Sequence, residues 1–331
     1  MSSNRLFCYI QHMAKICIAL ATYNGEKYLT KMLDSLVDQT RKADLIIAVD
    51  DGSTDKTTEI LRFYQEKLPL QITALPQNRG HRAAFSKALE IAQTQLGKND
   101  LVALADQDDI WLPAKLETLE KAIETPNKDG INPTLVFGDA QIIDAKGAVI
   151  DKSWRNFARI CVNIPVKAHI AGTNNVTGCL SLFRASLLHL IVPIPQAVGV
   201  HDAWISLIAM KQGIIIPVDI AVAEYRLHEN NSVGLGNKFS FDETCKRQIA
   251  WTDFLAKNGQ AISLDTDELD FARKLNHYWN RRTKAPILLG ALPFLIKNRK
   301  VLFPDPQTRN RKILFSLLGA PAVHLLFGKD K

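Results

Sequence analysis

Three short runs of almost unbroken apolar residues, at 15–21, 43–49 and 101–105, each end in polar or acidic residues and are separated by segments with helical spacing. A strand that is apolar at every position has both faces covered, as in a parallel sheet sandwiched between helices. After the first run, Leu29, Met32, Leu33 and Leu36 recur at the interval that puts them on one face of a helix within 28–38. Strand, helix, strand in this order makes a βαβ unit. Ser53 or Thr54 caps a second helix over 56–67, residues 71–75 form a third short strand, and Gly80 precedes a helix through 93 that leads into the 101–105 strand. This alternation predicts a doubly wound α/β domain. Its ligands should collect at the carboxyl ends of the strands, where Ala21, Asp51 and Asp106 fall.

The third run carries the most chemistry. Asp106-Gln107-Asp108-Asp109, followed by Ile110-Trp111-Leu112-Pro113, sets three carboxylates in four positions at a strand end. Like charges so close do not all stay ionised cheaply: one is protonated, or a hard divalent cation such as Mg²⁺ or Mn²⁺ sits among the oxygens. A solvated turn is the plainer alternative, and the strand-end setting favours the cation over it. No GxGxxG follows the first strand and no GxxxxGK[ST] occurs, which argues against an NAD-type dinucleotide fold and removes the P-loop enzymes.

Beyond Pro113 a helix to 124 leads through a Pro/Gly/Asn-rich loop to a strand at 134–137 and a hairpin-like stretch over 139–150. There the regular alternation stops. A helix is expected at 202–212, and from 238 amphipathic helices take over. In a chain of 331 residues this gives one domain over 14–236, with halves at 14–112 and 113–236, and a helical basic extension over 237–331. The five cysteines are scattered without CxxC or CxH spacing, so neither a disulfide framework nor a zinc site is indicated, and a reducing cytosol fits best. Residues 1–13 lack a long apolar core and a small-residue cleavage site and do not read as a signal peptide; Met13 is a second candidate start.

The net charge of +7 is concentrated in the tail: residues 279–331 hold eleven Lys/Arg against two Asp/Glu, which leaves the preceding part slightly negative. A nucleic-acid binder spreads basic residues over its folded face with aromatics interleaved. Here nine cations between 281 and 312 bracket two short apolar runs, at 285–296 and 313–327. Both are broken by proline and shorter than the ~20 residues that span a bilayer. Two placements stay open: the runs lie in an anionic membrane interface, at the inner face of the cell membrane, or they form a helical hairpin packed on the main domain.

Taken together, Ala21-Thr22-Tyr23-Asn24-Gly25, Val49-Asp50-Asp51-Gly52-Ser53-Thr54-Asp55, Asn78-Arg79-Gly80 and Asp106-Gln107-Asp108-Asp109 resemble a family 2 glycosyltransferase with the GT-A fold, a Rossmann-like doubly wound mixed sheet that binds nucleotide-diphospho-sugars. The resemblance covers about 14–236. Its later parts, Gly178-Cys179, His201-Asp202-Ala203-Trp204 and Tyr225-Arg226-Leu227-His228-Glu229-Asn230-Asn231, look most like rhamnosyltransferase-type members that build bacterial surface polysaccharides. It implies that Asp51 accepts the imide N–H of uracil or thymine, a proton cytosine lacks. Ala21, Thr22, Tyr23, Asn24, Asp106 and Gln107 would line the nucleotide site, Tyr23 either stacking on the base or packing in the core. Arg82 would add a positive contact to the nucleotide or lie solvated at the surface. Asp108 would ligate the cation, with Asp109 a neighbouring ligand or orienting group and His228 reaching the cation or diphosphate from a loop that Asn230-Asn231 could close.

The resemblance makes Asp202 the general base, facing the attacking hydroxyl, so the anomeric centre inverts. The alternative is that Asp202 caps the helix that follows it over 203–212, and both readings can hold together. Many relatives have Glu-Asp where this chain has His201-Asp202. Trp111, Asp139, Gly178, Cys179, His201 and Trp204 are the acceptor-side candidates, with core packing the other reading of both tryptophans; Cys179 is no nucleophile, because a single displacement needs no covalent intermediate. The processive signature QxxRW is absent, so single-sugar addition is expected. The function implied is metal-dependent transfer of one sugar from a UDP- or dTDP-sugar to a glycan or lipid-linked acceptor. A nucleotide-sugar binding module without turnover is the competing class. A sugar nucleotidyltransferase would need a Gly-rich, Lys/Arg-bearing loop after the first strand, which Ala21-Thr22-Tyr23-Asn24 is not.

Overall fold

A computed structural model describes residues 14–229 and 240–328. Cys8, the choice between Met1 and Met13, the turn at Asn230-Asn231 and the boundary at 236–237 lie outside the described residues. The apolar runs form β1 (Ile16–Thr22), β2 (Leu45–Asp50), β3 (Leu70–Ala74) and β4 (Leu101–Asp106), connected through α1 (Glu26–Val37), α2 (Thr57–Tyr64) and α3 (His81–Gln95). These strands are parallel in the order β3-β2-β1-β4. The chain passes from β1 to β2 on one side and returns as β4 on the other, so a crevice opens beyond the end of β1.

Strand alternation explains why these runs tolerate no polar residue. In β1, Ile16, Ile18 and Leu20 join one buried cluster with Leu29, Met32 and Leu33 of α1, while Cys17 and Ala19 join the opposite cluster with Phe85 and Leu89 of α3. Every one of them is fully or almost fully buried. Burial of each large side chain contributes about 1.5–3 kcal/mol, so both layers are held by the same strand.

After β4 the sheet becomes mixed. The chain forms β5 (Ile110–Trp111), α4 (Lys115–Glu124), β6 (Leu135–Ile143), β7 (Val149–Asp151), short helices α5 (Trp154–Phe157) and α6 (Val166–Ile170), β8 (Ser181–Arg184), α7 (Leu188–Ile191), α8 (His201–Gln212) and β9 (Ile215–Arg226). Strand β8 lies antiparallel between β4 and β6, and β9 runs parallel to β6 and pairs with β5 at the edge. The strand expected at 134–137 therefore continues to Ile143, because β9 gives it a partner along its length. The β6–β9 register shifts beside Gly138, where a Cβ would meet Val222 Cγ2 at 2.6 Å; only glycine lets the strands approach this closely.

The C-terminal region comprises α9 (Phe241–Asn258), α10 (Thr266–Arg282), α11 (Leu292–Lys297), α12 (Arg299–Leu302), α13 (Arg309–Ser316) and α14 (Ala320–Phe327). Helix α10 begins with a capping box between Asp265 and Glu268. Trp251, Leu255, Phe271, Leu275, Leu295 and Ile313 share one buried cluster with Ala19 and Leu104 of the sheet. Both apolar runs of the tail are thus divided: Leu288, Leu295 and Val323 pack inward, while Leu289, Leu314 and Leu325 stand outward at 69%, 67% and 86% exposure. Among the described residues no helix is long and apolar enough to cross a membrane.

Candidate active site

Beyond the ends of β1, β2 and β4 lies a cavity of about 1370 Å³. Its nucleotide side is made of loops that grip one another. Thr22 Oγ1 donates to Asp50 at 3.0 Å, Asn24 N donates to Ser53 Oγ at 2.8 Å, and Thr54 N donates to Asn24 Oδ1 at 2.9 Å. Gln107 closes the ring, accepting from Tyr23 N at 2.8 Å and donating to Tyr23 O at 2.9 Å. Gly52 sits at φ +78°, with the backbone of Gln77 about 2.9 Å from where a side chain would begin. That approach lets residues 77–80 fold over Asp51, whose carboxylate accepts Arg79 N at 2.8 Å and Gly80 N at 2.7 Å. Asp51 is thereby fixed at the cavity wall while each oxygen keeps a second acceptor direction. Tyr23 is 42% exposed and lines the cavity, so it is no core aromatic.

The acid cluster divides into an open and a sealed part. Asp106 and Asp108 line the cavity, and His228 Nε2 meets Asp108 Oδ2 at 2.8 Å. Burial, reinforced by the charges of Asp108, Asp109 and Asp202, pushes Asp106 well above the usual carboxylate range. Asp109 faces away: it is 1% exposed, Oδ1 accepts Arg226 N at 3.0 Å, and burial together with Asp108 raises its carboxyl. Arg226 also donates to the carbonyls of Asp108 at 2.9 Å and Asp144 at 3.1 Å, and its guanidinium lies 4.8 Å from the Tyr28 ring. Asp109 is thus held by the Arg226 backbone and its carboxylate does not line the cavity wall, in keeping with the orienting reading. Asp106, Asp109 and Cys179 bring potential ligand atoms within 4.8 Å of one another, but the Cys179 thiol is pushed far up by burial and the adjacent carboxylates. A hard cation suits the open set better: carboxylates of Asp106 and Asp108 with the imidazole of His228, all on the cavity wall.

On the acceptor side, Asp202 stands in the first turn of α8. Its Oδ1 accepts Ala203 N at 2.7 Å and its Oδ2 accepts Gly178 N at 3.2 Å, so it lies within the first turn while facing the cavity; the N-cap position belongs to Val200 and no side chain caps the helix. Burial raises its carboxyl to about 6 against the lowering effect of those N–H groups. A carboxylate in that range is a competent base near neutrality. His201 stacks on Phe85 at 3.9 Å, and burial holds it neutral, with a pKa lowered to about 3.

Five expected site residues are placed elsewhere. Trp111 is 2% exposed beneath the cluster, and Trp204 is 3% exposed, donating to Ile191 O at 2.9 Å and packing on Trp251 and Phe254. Both are core. Asp139 accepts Ser153 Oγ and the N–H groups of Ala140 and Arg155, fastening β6 to α5. Arg82 donates to the carbonyls of Gln196 and Val198 at 2.7 and 2.8 Å, tying α3 to the loop before α8. Cys179 is buried behind Gly178, which does reach the wall. The aromatic that lines the acceptor side is Trp154, stacked on Tyr225 at 4.8 Å with Nε1 donating to Thr177 Oγ1 at 2.9 Å. Also missed was Lys115, 1% exposed in α4; its position four residues before Leu119, on the stripe with Leu116 and Ile123, was the available signal.

A parallel half-sheet with its crevice at the strand ends, walled by carboxylates and continued by a mixed half, defines a nucleotide-sugar transferase of the GT-A class. Residues 17–160 match the family described as Glycosyl transferase family 2. An uncharacterized glycosyltransferase of Nostoc sp. is 31% identical over 285 residues, covering 82% of each chain. Among solved structures, Staphylococcus aureus TarS residues 1–349 in complex with UDP-GlcNAc aligns at a TM-score of 0.56 with 18% identity, over 92% of this chain and 81% of that one. The mannosyltransferase PcManGT of Pyrobaculum calidifontis, in complex with GDP-Man and Mn²⁺, aligns at 0.51 with 17% identity, over 95% and 88%. The chain belongs to glycosyltransferase family 2 and is a glycosyltransferase.

Proposed function

We propose that the protein transfers a single sugar, with inversion and with a divalent cation, from a UDP- or dTDP-sugar to a hydroxyl of a glycan or lipid-linked acceptor in surface-polysaccharide assembly. The observation that carries this reading is that Asp202, Asp51 and the open pair Asp106/Asp108 with His228 all face one cavity. Asp51 accepts the base N–H, and Tyr23 offers a ring face at the wall. Asp106, Asp108 and His228 would hold Mn²⁺ or Mg²⁺, whose charge stabilises the diphosphate as it departs. Asp202 takes the proton of the acceptor hydroxyl. The acceptor oxygen bonds to the anomeric carbon as its bond to the diphosphate oxygen breaks, and that electron pair leaves with the nucleotide. Neutral His201 and Phe85 keep the surroundings of Asp202 dry, which holds its affinity for a proton high. Trp154 offers a face for an acceptor sugar.

Purified protein with Mn²⁺ and a panel of nucleotide sugars and acceptors tests the reading: sugar transfer that Asp202→Asn and Asp108→Ala both remove is expected. Transfer surviving in both variants would refute the assigned roles, and tight UDP binding with no transfer would favour a binding module. The tail supports peripheral attachment to anionic membrane, because its outward leucines at 289, 314 and 325 lie among exposed Lys297, Lys300, Arg311 and Lys312. Flotation with anionic and neutral vesicles checks it. Equal recovery on both would refute the electrostatic account.

A further inference from the structure

Lys115 opens α4 and is sealed beneath the acid cluster. A buried ammonium is costly unless its donors are taken and charge is nearby. Its Nζ donates to the Cys179 carbonyl and lies 3.4 Å from the Trp111 ring centroid; burial lowers its pKa to about 7, against the raising effect of Asp109 and Asp106, and the hydrogen bond to the carbonyl is one that either protonation state can donate. No ion pair of Lys115 with a carboxylate occurs among the described residues, so the direct hydrogen bond is to backbone. That backbone is the Gly178–Leu180 turn. The same turn presents Gly178 N–H to Asp202 Oδ2 at 3.2 Å, and it packs so tightly that a Cβ on Gly178 would stand 3.1 Å from His201 Nε2 and 3.2 Å from Asp202 Cβ.

We propose that Lys115 is a positioning residue of the transfer step: its Nζ fixes the Cys179 carbonyl, and through the Gly178–Leu180 turn it sets where the Asp202 carboxylate stands relative to the acid cluster. The inference rests on Asp202 being the base. It adds that the base is located by a buried lysine on the far side of the sheet's acidic loop, from a helix that contributes nothing to the cavity wall. Donor and cation ligands come from other elements, so the effect belongs to kcat and not to donor binding.

Lys115→Met keeps the apolar stem and removes the donor. In its crystal structure the Gly178 N–H should have left Asp202 Oδ2, and kcat should fall tenfold or more with donor KM within threefold of wild type. Gly178→Ala attacks the same link from the other end with Lys115 intact, and should give the same loss of kcat at unchanged donor KM. In the double variant the two losses should not multiply, since both break one connection. An unmoved turn in Lys115→Met, or losses that multiply, would overturn the proposal; if Lys115→Met does not fold, wild-type kcat in Gly178→Ala would do so. The turn's position is read without turnover, so failure of this link and failure of the transferase reading separate: the latter shows as wild-type protein that binds UDP and moves no sugar.

Discussion

The strand-end crevice and the C-terminal helices are both densely charged, and they hold that charge in opposite ways. At the crevice wall Asp51, and behind it Asp109 and Lys115, are buried, each fixed by backbone groups. In the tail most of the nine cations between 281 and 312 stand in solvent; Arg282 alone is buried, donating to the carbonyls of Leu318 and Phe315 among four aromatic rings. Buried charge has a defined place and a shifted proton affinity, which suits bond making. Exposed charge acts over roughly a Debye length and yields to salt, which suits loose attachment to a surface.

Breaking the buried side should have the largest effect. Asp202→Asn removes the proton acceptor and should lower kcat about 10²–10⁴-fold with the fold intact, measured by steady-state transfer and circular dichroism. Trp204→Ala tests the core assignment: an unfolding titration should show a loss of about 3–5 kcal/mol, whereas a tryptophan that served only the acceptor would leave stability alone. Next comes pH. As the proposed base, Asp202 must be ionised to accept a proton and its carboxyl in the free protein is raised to about 6, so kcat/KM should fall about tenfold per unit below that value, and a profile flat to pH 4.5 would deny it the role. The smallest effect concerns the exposed side: Leu325→Ser with Leu326→Ser should leave transfer to a soluble acceptor unchanged while lowering recovery on anionic vesicles, and raising salt should do the same.

The contrast also explains what the sequence could disclose. Helices and strands of residues 16–106 were legible because each apolar run is buried on both faces and each helix shows its stripe, as in Leu29, Met32 and Leu33. The cavity-facing residues Asp51, Asp108 and Asp202 were legible through motif order. The direction of a side chain within a motif was not: Asp108 and Asp109 are adjacent, yet one meets His228 at the cavity and the other meets Arg226 in the interior. Trp111 and Trp204 are indistinguishable by type from Trp154, and only the packing of Trp251 and Phe254 against Trp204 decides between core and wall. Arg82 depended on a loop 114 residues away in sequence. Such long-range partners leave no local periodicity to read.

Arg226 closes the acidic loop from the last strand of the sheet, 117 residues after Asp109. A ribosome adding about 5–20 residues per second therefore releases the nucleotide half on the order of ten seconds before the residue that pins its acids. During that interval β1 to β4 can assemble from what has emerged, but the loop at 106–109 lacks its clamp and β5 lacks its neighbour. Assembly of the sheet and maturation of its reactive end are separate events in the life of a nascent chain.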